Sequence, residues 1–204
     1  MTRIAFVRHG ETDWNRARLL QGRTDIPLND HGRSQAAAAA VLLADRPAEV
    51  LVTSPLGRAV ETGRILAERV GLEVDGTVDD LVERDFGEAE GWFVPDARRR
   101  WPDFDLPGAE SDAALSRRGR AAVEQLAATY PAVIAIAHGT FIRAAVDAVA
   151  GGRLDRLGNG DVVLLERTGE AWHVEVRRNP VPASPEADPS EVAEVRAAAA
   201  SRVA

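Results

Sequence analysis

Two stretches of the chain, RIAFVRHGETDWN at 3–15 and AVIAIAHG at 132–139, decide how it folds. Each begins as a short apolar run with β-branched or aromatic members, the composition of a buried strand. Each then stops on a His-Gly pair, His9-Gly10 in the first and His138-Gly139 in the second. A third run, EVLVTS at 49–54, has the same strand character and leads into Ser54-Pro55.

Helical signals fill the intervals. Asp30 is placed as the N-cap of a helix over 31–45, where QAAAAAVLLA supplies strong helix formers. Ser54 as N-cap and Pro55 at the first helical position predict a second helix, which Gly71 stops after Val70. A long helix over 111–130 precedes the strand at 132–137, and another over 140–149 follows it. Strands alternating with helices predict an α/β fold with a mostly parallel sheet. DVVLLER at 161–167 and WHVEVRR at 172–178, joined by four residues, predict an antiparallel hairpin that makes the sheet mixed. Residues 10–30 read as a loop. The segment 72–110 is irregular, and its WFVPDARRRWPDFDLPG stretch, with three prolines and two tryptophans, reads as an insertion over a sheet edge. The main domain is thus 1–178. The Pro-rich, then Ala/Glu-rich tail at 179–204 is expected to be a linker with a short, marginal helix.

At 204 residues and 45% hydrophobic content, the chain can bury one sizeable core. Its net charge of −7 gives no bulk attraction for nucleic acid or an anionic membrane, so neither is expected as a partner, and any anion must be gripped locally. The absence of cysteine excludes disulfides and thiolate metal sites. No signal-peptide pattern precedes the first strand, and no run of about 18 apolar residues follows, so a soluble cytoplasmic protein is expected. All 25 basic residues are arginine. In such a chain an arginine carries weight only where its position supports it.

In an open parallel sheet, ligands bind where the carboxyl ends of the strands meet the loops. Arg8-His9, the Ser54–Arg58 turn and His138-Gly139 all fall there, so three strands bring two histidines and two arginines to one edge. His31 and His173 lack this placement and read as surface residues. A metal site would prefer carboxylates beside the imidazoles and would be repelled by guanidiniums. Guanidinium matches phosphate instead, with forked and permanently charged donors. A neutral imidazole can attack phosphorus, and neighbouring arginines keep it neutral. No metal or cofactor is expected.

Arg8-His9-Gly10-Glu11-Thr12 with Asn15, SPLGRAVET at 54–62, LVERDFGEAEG at 81–91 and the strand ending in His138-Gly139 together resemble the histidine phosphatase superfamily, also called the phosphoglycerate mutase-like family. The resemblance spans roughly residues 3–165 and implies a three-layer α/β/α sandwich. It implies His9 as the phosphorylated nucleophile, with Arg8, Arg58 and His138 on the phosphoryl oxygens and Glu83 as proton donor to the leaving oxygen. Asn15, Gln21-Gly22, Gly10 and Gly139 match further positions that contact phosphate or let it approach. The expected substrate is a small phosphorylated metabolite.

The choice of acid is the most open assignment, because Asp79, Asp80, Asp85, Glu88 and Glu90 crowd around Glu83. Arg98-Arg99-Arg100, flanked by Trp92 and Trp101, make 92–110 the expected lid that selects the substrate. ERDFG at 83–87 echoes the ERHYG of cofactor-dependent phosphoglycerate mutases, but Asp85 and Phe86 replace its His and Tyr. The stretch between Glu83 and His138 is also short for a mutase, which must exclude water. Phosphoester hydrolysis is therefore the expected activity, with mutase-type transfer and non-catalytic phosphate binding as alternatives.

Overall fold

The computed structural model describes residues 2–203, with side chains described through residue 198. Its strands are β1 (Thr2–Arg8), β2 (Val50–Thr53), β3 (Val74–Thr77), β4 (Ala132–Ala137), β5 (Val162–Thr168) and β6 (Ala171–Arg177). The helices are α1 (Asp13–Arg16), α2 (Asp30–Ala38), α3 (Gly57–Val70), α4 (Val94–Arg100), α5 (Asp112–Thr129), α6 (Gly139–Ala150) and α7 (Pro189–Val203). No helix among the described residues is long and apolar enough to cross a membrane.

The sheet order is β3-β2-β4-β1-β5-β6. The first four positions pair in parallel, and the β5–β6 hairpin joins antiparallel beside β1. Side chains alternate across this sheet as strand geometry demands. Ile4 and Phe6 of β1 pack with Leu126 of α5 and Phe141 of α6, whereas Ala5 and Val7 pack with Leu66 of α3 and Leu43. Both faces are covered, giving the α/β/α sandwich with a mixed sheet. β4, at the centre, is buried along its whole length.

Local chemistry explains where the elements begin. Asn29, not Asp30, caps α2, its side chain accepting the Gly32 N–H at 2.8 Å. The helix then tightens into a 3₁₀ turn at Ala39–Leu43 rather than continuing to 45. Ser54 does not cap α3, which starts at Gly57 after an uncapped Leu56. Gly71 does end it, in the left-handed conformation at φ 72°. The loop expected at 10–30 contains α1, held by a capping box between Thr12 and Asn15.

The chain after β6 runs back across the body. The Pro182 carbonyl accepts from His31 Nε2 at 2.6 Å and Gln35 Nε2 at 3.3 Å. Glu191 accepts two hydrogen bonds from Arg16, at 2.9 and 2.7 Å. Val192 and Val195 pack with Trp14, Ile26 and Phe93. An isolated helix of this length is marginal, so α7 owes its stability to this docking.

Helices α5 and α6 pack closely at Gly119, where an added Cβ would stand 2.7 Å from the Ala145 Cα. Alanine would gain up to about 1 kcal/mol of helix propensity. Forcing two packed helices apart costs about 1–3 kcal/mol, so overpacking wins. Gly119→Ala is expected to lower the urea midpoint, and an unchanged or raised midpoint would show that α5 and α6 can separate freely.

Candidate active site

Parallel pairing in register, Arg8 opposite Ala137, makes β1 and β4 end together. His9 and His138 therefore leave the sheet side by side, their ring centroids 5.1 Å apart. Both are buried. His9 Nδ1 lies 2.7 Å from the Gly10 carbonyl oxygen. A carbonyl only accepts, so Nδ1 carries the proton and Nε2 the lone pair. Asn159 fixes the same turn by donating to the His9 carbonyl at 3.0 Å. His138 Nε2 lies 2.8 Å from Ser54 Oγ, and its Nδ1 has no hydrogen-bond partner in the protein. Ser54, expected as a helix cap, instead holds the second histidine.

Arg58 is fully buried in the first turn of α3. It donates to the Gly22 carbonyl at 2.8 Å and the Thr24 carbonyl at 3.0 Å. Glu90 grips the same loop from the other side, accepting the Gly22 and Thr24 N–H groups at 2.8 and 3.0 Å. Gly22 thus has both backbone polar groups committed within the protein and serves the loop's shape. Asn15 is partly committed, one amide N–H donating to Gln21 Oε1 at 3.1 Å and its Oδ1 accepting from Asn159 at 3.0 Å. Gln21 Nε2, in the same network, is buried without a partner.

The two site glycines serve packing. A Cβ on Gly10 would stand 2.2 Å from the Gly32 carbonyl oxygen, and the Gly10 N–H donates to Thr62 Oγ1 at 3.1 Å. Gly10 therefore lets α2 approach, where an open path for a ligand was expected. Gly139 makes room for Arg8, whose Nε would lie 3.1 Å from an added Cβ. Arg8 itself donates to the Leu157 carbonyl at 2.7 Å.

Glu83 comes from the turn after Asp79–Leu81 and reaches the start of α6. Its Oε1 accepts the Arg84 and Phe141 N–H groups, each at 2.8 Å, and its Oε2 accepts the Thr140 N–H at 3.0 Å. It lines a cavity of about 450 Å³ together with Arg8, His9, Asn15, Gln21 and Gly139. None of Asp79, Asp80, Asp85, Glu88 and Glu90 does so. Within 92–110, Val94 lines the cavity, while Trp92 and Trp101 pack against each other with ring centroids 4.8 Å apart and planes tilted by 56°. The outer wall comes instead from Arg16, Arg18, Arg143 and Arg156 and from Ser184 and Glu186 of the tail. Sequence reasoning missed these residues and Asn159. Arg143 alone left a signal, standing four residues after Gly139 on one face of α6. Among the described residues no group of three or more His, Cys, Asp or Glu side chains forms a metal-binding cluster.

Burial and the nearby charges set the protonation states. Desolvation lowers Arg58 and Arg8 to about 10, partly opposed by Glu83, so both remain charged at neutral pH. Desolvation, then Arg58 and Arg8, holds His9 well below the ordinary imidazole range, and desolvation, Arg58, His9 and Arg8 do the same for His138. Both imidazoles are neutral in the folded chain near pH 7.

Below about pH 6.5 the unfolded chain binds protons on these histidines that the folded chain refuses. Stability is therefore expected to fall as pH drops below about 6.5, by about 1.4 kcal/mol per pH unit for each histidine. Urea unfolding at about pH 7 and about pH 5.5 measures this, and equal stabilities would contradict the neutral buried pair.

The chain matches the model of the histidine phosphatase superfamily (branch 1) over residues 4–180. It is 37% identical over 180 residues to an uncharacterized phosphatase, PhoE, of Bacillus subtilis, covering 85% of this chain and 93% of that protein. It is 35% identical over 163 residues to the glucosyl-3-phosphoglycerate phosphatase of Mycobacterium tuberculosis, covering 70% and 72% of the two chains. A metal-independent phosphoserine phosphatase of Arabidopsis thaliana is 34% identical over 160 residues, covering 71% and 67%. Among solved structures, a mycobacterial glucosyl-3-phosphoglycerate phosphatase complexed with VO3 superposes with a TM-score of 0.78 at 29% identity, covering 88% of this chain and 99% of that one. With this fold, these strand ends and a match over nearly its whole length, the chain belongs to the histidine phosphatase superfamily.

Proposed function

We propose that the protein is a phosphatase that hydrolyses small phosphomonoesters through a phosphohistidine on His9, without a metal ion. The observation that carries this reading is a set of buried donors with no partner in the protein: Arg8 Nε, Arg58 Nε, Gln21 Nε2 and His138 Nδ1. Each such group costs about 1–3 kcal/mol when left unmet. An oxyanion is the ligand that would satisfy all four, and two of the donors carry formal charge. The names of the relatives, which act on small phosphorylated molecules, support the same substrate class.

The chemistry follows from the tautomers. His9 Nε2 attacks phosphorus, forming the N–P bond as the bond to the leaving oxygen breaks. His138 Nε2 accepts a hydrogen bond from the Ser54 hydroxyl, in the neutral tautomer that leaves Nδ1–H free to donate to a phosphoryl oxygen. Arg8 and Arg58 offset the charge on the equatorial oxygens. Glu83 supplies the leaving oxygen's proton from Oε2, because Oε1 already accepts two N–H groups and Oε2 one. In the second step the Glu83 carboxylate takes a proton from water, whose oxygen attacks phosphorus and releases His9.

A panel assay with EDTA present tests this, following both phosphate release and interconversion of 2- and 3-phosphoglycerate. Release without interconversion is expected; interconversion would identify a mutase, and silence in both would leave a binding protein. His9→Ala is expected to abolish turnover with the fold retained, and full activity in that variant would remove His9 as nucleophile. Glu83→Gln is expected to lower kcat by about 10²- to 10⁴-fold for substrates with a poor leaving group, and by less for p-nitrophenyl phosphate. Equal losses on both would argue against proton donation.

A further inference from the structure

The cavity carries more positive charge than one phosphoryl group requires. Five arginines line it: Arg8, Arg16, Arg18, Arg143 and Arg156. Two are already paired with the tail, Arg16 with Glu191 at 2.7 Å and Arg18 with Glu186 at 3.2 Å. Arg8 faces the phosphoryl site and is balanced by Glu83 and Asp161. Arg143 and Arg156 form no ion pair among the described residues. The Arg143 side chain has one hydrogen bond, from Nε to the Gly139 carbonyl at 3.3 Å, one turn from His138. Arg156 sits beside Leu157, whose carbonyl anchors Arg8.

Both guanidiniums are close enough to Arg8 for their charges to disfavour its own. Three like charges thus line one cavity, and Glu83 and Asp161 offset that of Arg8. Like charges held together at a cavity wall are unfavourable until an anion arrives between them. The remaining cavity carboxylate, Glu11, is occupied by Asn29 at 3.1 Å and by the Ser184 N–H at 3.1 Å. Glu11 therefore does not supply the missing partner.

The geometry points to a second anion subsite: Arg143 and Arg156 bind a carboxylate or second phosphate of the substrate, placed within a few bonds of the phosphoryl group. This rests on the phosphatase reading and narrows its substrate class to phosphomonoesters that carry another negative group. Guanidinium suits either oxyanion through paired N–H donors. A cavity of about 450 Å³ has room for such a molecule.

Binding measured in the His9→Ala chain separates this proposal from turnover. Calorimetric titration would compare 3-phosphoglycerate with glycerol 3-phosphate, which differ by a carboxylate, and fructose 1,6-bisphosphate with fructose 6-phosphate, which differ by a phosphate. In at least one pair the ligand with the second anion is expected to bind tighter by about tenfold or more. That ratio should fall towards one in Arg143→Gln/Arg156→Gln, and part-way in Arg156→Gln alone, which changes an exposed residue. The pair that shows the preference identifies the second anion as carboxylate or phosphate. Ratios near one in both pairs, or a ratio that survives the double substitution, would overturn the subsite. Hydrolysis of p-nitrophenyl phosphate by the unsubstituted chain reports the phosphatase reading separately, so either can fail without the other.

Discussion

The register of β1 against β4 is the constraint on which the site depends. Because the strands pair in parallel with Arg8 opposite Ala137, the residues that follow them, His9 and His138, emerge together. A slip of one residue would turn Ile4 and Phe6 away from α5 and α6 and move His9 to the other side of the pleat. The core therefore enforces the geometry of the histidine pair: the apolar alternation that buries both sheet faces is also what sets two imidazoles 5.1 Å apart.

Around that pair the protein spends polar groups on holding other polar groups. Arg58 is buried among carbonyls, and Glu90 meets the opposite edge of the same loop. Burial pushes the Glu90 carboxyl up, against the N–H groups that favour its ionised form. Such a clamp fixes the 21–24 loop and leaves the buried Arg58 Nε–H without a partner in the protein. The chain Thr12–Gln21–Asn15–Asn159 does the same for Gln21, tying the turn after β1 to the turn before β5. Fixing donors in advance is what an oxyanion site requires, since no reorganisation is then needed when charge develops.

The tail completes the cavity from outside the sheet. Ser184 and Glu186 form part of its wall, and Glu191, Val192 and Val195 fasten the segment to α1 and Phe93. The sequence of this segment, rich in proline and then in alanine, carries no periodic apolar face strong enough to announce docking. Its contacts depend on Arg16, Trp14 and Phe93, which lie far away along the chain.

The sequence by itself determined the layers of the fold and which histidines reach its edge. Apolar runs of strand length, helices between them and a His-Gly at two strand ends were enough, because strand burial and parallel pairing follow from local pattern and from a few connection rules. The tertiary structure decided which polar atoms are free. Gly22 and Gly10 read as ligand contacts, yet the Gly22 N–H and carbonyl are taken by Glu90 and Arg58 and the Gly10 N–H by Thr62. Arg156 was indistinguishable from other arginines in a chain that has no lysine, and Arg143 was marked only by standing one helical turn after Gly139. Whether a donor is spent or available depends on partners tens of residues distant, and that is fixed only when the chain has closed on itself.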